Sequence, residues 1–370
     1  MMECRRVSTL RNLCVLLCFF TGVVRTQNFI RVEQTFVPFP TRFSVQDRRP
    51  DVVISEDLRN GLGTFHNIIK GEFNGDRIDD LLITNSSADG SVPGAGRASV
   101  FLGGSSFGSS SSINLTTNQP DLAILGPNQF AQLGYSAAAG DLNGDRIDDI
   151  ILTATGTKAI YVIFGSPVFT NRIIDLSRAQ ADVTVLSKPS DNFINGLAVG
   201  DIDGDGFNDL IFGRVAGGPT NIALLLGPFR STTTFNLAST EPDIVIHSSF
   251  SGFDSFGYAI AVGDLNADGI SDLVIGDPVG AGAVYVLKGS PALARGLSPS
   301  VAQPLLTILG AFVGSDFGLG DSLGRVLAVA DVNADGIDDI VMGVPSSIRL
   351  GNGPGPPRPE RHTSYLVLPR

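Results

Sequence analysis

The stretch DLNGDRIDD at residues 141–149 decides the fold of this chain, because it recurs four more times with the same order of acidic and amide residues. The other copies are EFNGDRIDD at 72–80, DIDGDGFND at 201–209, DLNADGISD at 264–272 and DVNADGIDD at 331–339. The copies begin 69, 60, 63 and 67 residues apart. Near-even spacing of this kind is typical of a repeat architecture.

Apolar runs surround every copy. A run of small residues precedes it (SAAAG, GLAVG, AIAVG, VLAVA) and a branched run follows it (DLLIT, DIILT, DLIFG, DLVIG, DIVMG). A third and a fourth apolar run complete each unit of about 65 residues, and no stretch has a helical period. Four strands per unit predict an all-β chain of propeller blades or sandwiches. The small residues favour a propeller, because innermost strands crowd around an axis.

We therefore expect a β-propeller of five four-stranded antiparallel blades. Its repeats lie at about 51–120, 121–181, 182–242, 243–304 and 305–370. The chain ends after a third strand, and a spare fourth strand lies at 51–55, so we predict that 51–55 pairs with 364–368 and closes the ring. Residues 28–50 leave a sixth unit or another closure open, so five, six and seven blades remain possible.

The nine-residue loops carry the chemistry. Side-chain oxygens stand at positions 1, 3, 5 and 9, and position 7 can offer its backbone carbonyl. This donor set suits calcium, which takes six to eight oxygens, better than magnesium. An EF-hand would need Glu at position 12, where all five copies have an apolar residue. Tight turns alone would not require acidic or amide side chains at four positions in every copy.

The sequence therefore predicts up to five calcium sites, loop 1 to loop 5 in chain order. The candidate ligands are Glu72, Asn74, Asp76, Ile78 and Asp80; Asp141, Asn143, Asp145, Ile147 and Asp149; Asp201, Asp203, Asp205, Phe207 and Asp209; Asp264, Asn266, Asp268, Ile270 and Asp272; and Asp331, Asn333, Asp335, Ile337 and Asp339. Loop 3, with four carboxylates, should bind most tightly. Loop 1 should be weakest, because Glu replaces Asp at position 1 and Arg77 stands at position 6, where positive φ favours Gly.

Charge and the N-terminal residues set the compartment. The net charge of −11, from 26 basic and 37 acidic side chains, argues against nucleic-acid binding. Residues 1–26 combine arginines with an apolar stretch at 13–24, which predicts a signal peptide; an uncleaved membrane anchor is the alternative. All three cysteines lie within it, so we expect a mature chain, 27–370, without disulfides or a transmembrane segment, secreted to the extracellular space or cell surface.

In these loops and the residues around them, the chain resembles the FG-GAP repeat proteins, among them the integrin α-subunit head domains. In the fourth unit, Phe256-Gly257 supplies the FG and Gly276-Asp277-Pro278 stands where GAP is expected; the fifth has Leu323-Gly324 and Gly343-Val344-Pro345. The resemblance covers roughly residues 43–370. It implies a β-propeller with calcium in hairpin loops, and a role in cell adhesion.

Function follows from these features as an expectation. We predict a non-enzymatic, calcium-binding module that binds an unidentified extracellular protein or glycan. The alternative is a hydrolase acting on lipid anchors or polysaccharides, since some phospholipase D enzymes carry FG-GAP repeats beside a separate catalytic domain, for which we expect no room here. A G-x-S-x-G match at 104–108 lacks the helix that a nucleophile elbow needs, and the three histidines have no metal or catalytic spacing. A structural surface protein is the third possibility.

Overall fold

The computed structural model describes residues 2–5, 17–20, 53–55, 67–104, 112–114, 119–169, 173–215, 220–247, 255–293, 304–310, 322–349 and 360–368. These residues form strands, turns and loops, without an α-helix in the described ranges. The prediction of an all-β chain with antiparallel sheets is confirmed. No described helix is long and apolar enough to cross a membrane.

Five sheets follow one another along the chain, and we call them blades 1 to 5. Blade 1 contains β4 (Asn67–Gly71), β5 (Asp80–Asn85), β6 (Arg97–Phe101) and β8 (Leu122–Leu125). Blade 2 contains β9 (Leu133–Gly140), β10 (Asp149–Ala154), β11 (Ala159–Ile163) and β13 (Val183–Leu186). Blade 3 contains β14 (Asn192–Gly200), β15 (Asp209–Val215), β16 (Thr220–Leu225) and β18 (Ile244–His247). Blade 4 contains β19 (Ala259–Gly263), β20 (Asp272–Asp277), β21 (Ala283–Leu287) and β22 (Leu306–Leu309). Blade 5 has β23 (Val326–Ala330), β24 (Asp339–Arg349) and β25 (Glu360–Leu368).

Each blade is an antiparallel meander in which the acidic loop joins the first strand to the second. In blade 2, for example, Gly140 pairs with Asp149 across the loop, and Ile150 pairs with Ile163 of the third strand. The alternating or continuous apolar character of these runs is what the antiparallel, face-covered sheets require. The remaining strands are β1 (Met2–Arg5), β2 (Leu17–Phe20), β3 (Val53–Ser55), β7 (Ser112–Asn114), β12 (Ile173–Asp175) and β17 (Thr233–Asn236).

Hydrophobic clusters lie between successive blades. One joins blades 1 and 2 around Leu82 and Leu152, and another joins blades 2 and 3 around Ile151 and Phe212. Two more join blades 3 and 4, and blades 4 and 5. The blades are therefore stacked face against face in chain order, as in a propeller, and each cluster depends on apolar residues from two repeats.

The small residues of the first strands serve close approach between blades, as predicted. A Cβ placed on Gly140 would lie 2.6 Å from Val199 Cγ1 of blade 3, and one on Gly200 would lie 2.9 Å from Val262 Cγ2 of blade 4. Those distances are shorter than any real Cβ contact. In blades 2 and 3 the last residue before the loop is thus Gly because the first strand of the next blade leaves no space for a side chain.

The described sheets neither form nor exclude the predicted closure of the chain. The strand predicted at 51–55 corresponds to β3, which pairs in parallel with β7 of the first repeat, and β25 pairs with β24. No described sheet joins β3 to β25, so the pairing of 51–55 with 364–368 stays a prediction. The apolar pattern did not predict a class of short outer strands: β12 and β17 add in parallel to the fourth strand of the preceding blade, as β7 adds to β3. Residues 28–50 lie outside the described residues.

Candidate metal centres in the five loops

The five acidic loops share one hydrogen-bonding scheme. The aspartate at position 9 accepts the N–H of position 2 in every loop, at 2.9, 2.8, 3.0, 3.2 and 3.0 Å from loop 1 to loop 5. In loops 1 to 4 its other oxygen accepts the N–H of a glycine just after the third strand, such as Gly165. Position 9 therefore joins the loop to the sheet, and its carboxylate is buried.

The carboxylate at position 1 folds the loop around itself. One of its oxygens accepts the N–H of position 5 in all five loops, at 3.0–3.2 Å. In loops 2 to 5 the other oxygen accepts the N–H of position 6. Position 5 in turn accepts the N–H of position 7 in every loop. These bonds direct the acidic side chains toward the inside of the loop, where the predicted ligands should meet.

Backbone conformation explains the residues at positions 4 and 6. Arg77 and Arg146, at position 6 of loops 1 and 2, have φ of 66° and 72°, and glycines occupy that position in the other three loops. The positive φ expected at position 6 is confirmed. Position 4 also has positive φ throughout, including Ala267 and Ala334 at 60° and 62°. A non-glycine residue with positive φ costs about 1 kcal/mol or more of backbone strain. Loops 1 and 2 have this strain at position 6, loops 4 and 5 have it at position 4, and loop 3 has glycine at both positions.

Loop 3 brings carboxylates together most closely. Oxygens of Asp201, Asp203 and Asp209 lie within 4.8 Å of one another, a spacing that one cation can bridge. Asp203 and Asp209 are buried. Loops 1, 2, 4 and 5 have Asn at position 3, and its amide nitrogen donates to carboxylates of the same loop; Asn266 Nδ2, for example, donates to Asp272 Oδ2 at 2.7 Å.

Burial changes the acidity of position 9. It raises the pKa of Asp149 and of Asp209 to about 7, and the nearby carboxylates of the same loop add to the effect against the opposing backbone N–H groups. The pKa of Asp80, Asp272 and Asp339 is raised as well, again mainly by burial. A buried carboxylate of this kind is stabilised in its ionised form by a bound cation.

Loop 4 contains a competing cation. Lys288 Nζ lies 2.8 Å from Asp268 Oδ2, the position-5 carboxylate, and this pair lowers the pKa of Asp268 and raises that of Lys288. Leu102, Phe164 and Leu226 occupy the equivalent position after the third strand of blades 1 to 3. Among loops 1 to 4, loop 4 is therefore the one in which a lysine ammonium contacts a predicted ligand.

Position 8, which the sequence analysis did not select, links neighbouring loops. Asp148 Oδ2 accepts the N–H of Glu72 at 2.9 Å, and Asp338 Oδ2 accepts the N–H of Asp264 at 2.9 Å. In loop 3 the direction is reversed, because Asn208 Nδ2 donates to the carbonyl of Asp141 at 2.9 Å. The signal was present in the sequence as a polar residue beside every position 9, but its partner lies one repeat away.

Position 7 also contacts the preceding loop through its side chain. A Cβ on Gly75 would lie 3.2 Å from Ile147 Cδ1, and Gly144 and Gly204 stand in the same relation to Phe207 and Ile270. The apolar residue at position 7 is therefore accounted for by packing between loops. Its carbonyl is the atom that the sequence analysis assigned to metal binding.

Other candidates have structural roles. His247 Nδ1 lies 2.9 Å from Asn221 Oδ1 at the end of blade 3. His66, Ser106 and Gly108 lie outside the described residues, as do the side chain of His362 and most of the predicted signal peptide.

Known proteins resemble this chain in its repeats. The FG-GAP repeat model matches residues 133–163, 256–287 and 323–356, which fall in blades 2, 4 and 5. Integrin alpha-PS5 and integrin alpha-PS2 of Drosophila melanogaster are 32% and 30% identical over 178 and 182 residues, covering 43% and 44% of this chain and 16% and 12% of those proteins. Phosphatidylinositol-glycan-specific phospholipase D of Dictyostelium discoideum is 28% identical over 259 residues, which is 66% of this chain and 21% of the relative.

The aligned part is thus about a fifth or less of the length of each of these relatives. Blades 1 and 3 lie outside the matched segments but contain loops with the same hydrogen bonds as blades 2, 4 and 5. The recurring unit therefore extends beyond the three matches. This chain thus contains FG-GAP repeats at three positions, and over part of its length it is similar to integrin alpha chains.

Proposed function

We propose that this protein is an extracellular, calcium-stabilised β-propeller that acts as a non-enzymatic binding or adhesion module. The observations that carry the proposal are the bonding scheme that all five loops share and the convergence of Asp201, Asp203 and Asp209 in loop 3, whose oxygens lie within 4.8 Å of one another. The similarity to integrin alpha chains and the predicted signal peptide support the adhesion role and the extracellular location.

The donor set fits calcium. Positions 1, 3, 5 and 9 would supply carboxylate or amide oxygens and position 7 a carbonyl, as in other calcium loops. Without a cation the carboxylates of one loop repel each other, and backbone N–H groups, Asn amides and Lys288 compensate only part of that charge. Bound calcium would supply the missing positive charge and stabilise each hairpin.

Ring closure is part of the proposal, because the free faces of blades 1 and 5 complement each other. The residue four positions before the loop packs against the preceding blade in blades 2 to 4 and is only 8–9% exposed there (Ala137, Leu197 and Ile260). The equivalent residue of blade 1, Ile68, is 61% exposed. On the opposite side Val326 of blade 5 is 52% exposed. Contact between these two faces would repeat the packing that joins every other pair of blades.

The strand edges support the same closure. β8 and β13 each have an antiparallel partner on one edge and a short parallel partner on the other. β3 has its parallel partner, β7, but the edge that would face a third strand is free in the described residues. β25 is the third strand of blade 5, and its edge away from β24 has no paired strand in the described sheets. We infer a five-bladed ring that closes between β23 and β4.

The experiment that tests the function compares binding with hydrolysis. Purified full-length chain would be assayed for calcium-dependent binding on arrays of extracellular glycans and matrix proteins, and for cleavage of a glycosylphosphatidylinositol-anchored substrate and of polysaccharides. Saturable binding that chelation abolishes, with no turnover, is the expected result. Turnover of either substrate would instead support the hydrolase alternative, which the similarity to phospholipase D makes the second candidate.

A further inference from the structure

A cavity lies between the first strands of the five blades, and its lining indicates the chemical class of the ligand. This inference rests on the proposed binding function and refines it. The cavity has a volume of about 600 Å³, and all five first strands or the residues just before them contribute to its lining. That volume lies within the usual range of small-ligand sites, about 300–1,000 Å³. The lining residues precede the acidic loops by four to six positions, so the cavity lies toward the opposite end of the first strands.

The same position of the repeat supplies the polar side chains. Tyr135, Asn195, Tyr258 and Arg325 each stand six residues before the loop of blades 2 to 5. They line one cavity because the first strands run in the same direction around it. Aromatic, amide and cationic groups are therefore brought together from four repeats that are 60 to 67 residues apart in sequence.

The charge of the cavity is opposite to that of the chain. Its lining contains Arg325 and no Asp or Glu, although the chain as a whole has a net charge of −11. No carboxylate in the described part of the chain lies within 4.0 Å of Arg325 in an ion pair. The cation is thus available to an incoming anion.

The geometry of Arg325 suits a carboxylate. Its Cζ lies 5.4 Å from the centre of the Tyr258 ring, so the guanidinium is placed over the aromatic face. Stacking of this kind holds the guanidinium plane and leaves its N–H edge for a bidentate carboxylate. Ala137, Leu197 and Ile260 add apolar surface to the same lining.

We propose that this cavity binds an acidic saccharide, with a uronic carboxylate on Arg325 and a pyranose ring against the tyrosines. A sugar ring presents weakly positive C–H groups, which match the negative face of an aromatic ring, and its hydroxyl groups can bond to the Asn195 amide. A single Asp or Glu side chain would occupy the arginine but leave most of the cavity and its aromatic wall uncovered.

The test measures binding of trigalacturonic acid and of a hyaluronan tetrasaccharide to the full-length chain in calcium by isothermal titration. Maltotriose is the neutral comparison and tetraglutamate the peptide comparison. We expect at least one acidic saccharide to bind, Arg325→Gln to weaken it at least tenfold, and Arg325→Lys to retain part of the affinity. Arg230→Gln, an exposed site near the loop end of blade 3, should have no effect.

Arg325 is exposed, so neither substitution is expected to change the melting temperature. The proposal is overturned if neither acidic saccharide binds with a dissociation constant below about 1 mM. It is also overturned if Arg325→Gln binds the saccharide as tightly as the unaltered chain does, or if tetraglutamate binds more tightly than both sugars. A negative result with normal calcium-dependent melting would reject the saccharide while leaving the proposed calcium-stabilised module in place.

Discussion

Asp148 Oδ2 accepts the backbone N–H of Glu72 at 2.9 Å, so the second acidic loop holds the first residue of the loop before it. A backbone bond from Asp148 N to the carbonyl of Glu72, at 2.8 Å, doubles the connection. The same pair of bonds joins Asp338 to Asp264. The candidate metal loops therefore form a connected series and are not five independent hairpins.

This linkage gives the first prediction. Asp148→Ala removes an acceptor from a partly buried N–H and should lower the free energy of unfolding by about 1 kcal/mol. It should also weaken cation binding in loop 1, because Glu72 loses its support. Urea unfolding and calcium titration measure the two effects. Asp79→Ala is the matched control: Asp79 occupies position 8 of loop 1, is half exposed and pairs with Lys70, so its loss should cost less than about 0.5 kcal/mol. Equal effects of the two substitutions would contradict the linkage.

Lys288 gives the second prediction. Because its ammonium lies 2.8 Å from Asp268, a cation entering loop 4 must displace it. Lys288→Gln should therefore raise the calcium affinity of loop 4, by about two- to fivefold at most, because solvent screens an ion pair at the surface. The amide resonance of Gly269, at position 6, reports on this loop. Lys188→Gln removes a surface ion pair with Glu241 and should leave the titration unchanged. Unaltered affinity in Lys288→Gln would show that the lysine does not compete.

The third prediction concerns pH in the metal-free protein. Burial raises the pKa of Asp149 and Asp209 to about 7, from 3.8. The folded state therefore binds more protons than the unfolded state between these values, and stability is lost as the pH rises through about 7. Urea unfolding of the metal-free chain should give a higher unfolding free energy at pH 5.5 than at pH 7.5.

Two comparisons make that prediction specific. Asp149→Asn should reduce the dependence on pH, whereas Asp175→Asn should not, because the pKa of Asp175 is lowered by its bonds to Ser177 and lies below the window. Saturating calcium should remove the loss of stability, since the cation stabilises ionised carboxylates. A metal-free chain whose stability rises from pH 5.5 to 7.5 would contradict the burial of these groups.

The fourth prediction tests ring closure. If the free faces of blades 1 and 5 meet, Ile68→Cys and Val326→Cys should form a disulfide in mild oxidant, because both positions lie on the faces that would pack together. The native cysteines all lie within the predicted signal peptide, so the mature chain would supply no competing thiol. Ile68→Cys with Val168→Cys, an exposed position in blade 2, is the control and should stay reduced. Absence of the Ile68–Val326 cross-link would favour an open or larger assembly.

The sequence predicted the features that depend on neighbouring residues and missed those that depend on contacts between repeats. The bonding within each acidic loop, the strand order within a blade and the positive φ of Arg77 and Arg146 follow from residues that are neighbours in sequence. The role of position 8 did not, because Asp148 and Asn208 contact residues 76 and 67 positions away. The outer strand β12 was also missed, since three residues paired in parallel leave no periodic pattern.

Calcium-dependent melting of the full-length chain tests the central claim most directly. The account predicts that removing metal lowers the melting temperature substantially, that calcium restores it, that magnesium does so much less, and that Asp209→Asn in loop 3 reduces the gain from calcium. Melting curves that coincide in chelator and in calcium would contradict the claim that these carboxylate loops are metal sites that stabilise the fold.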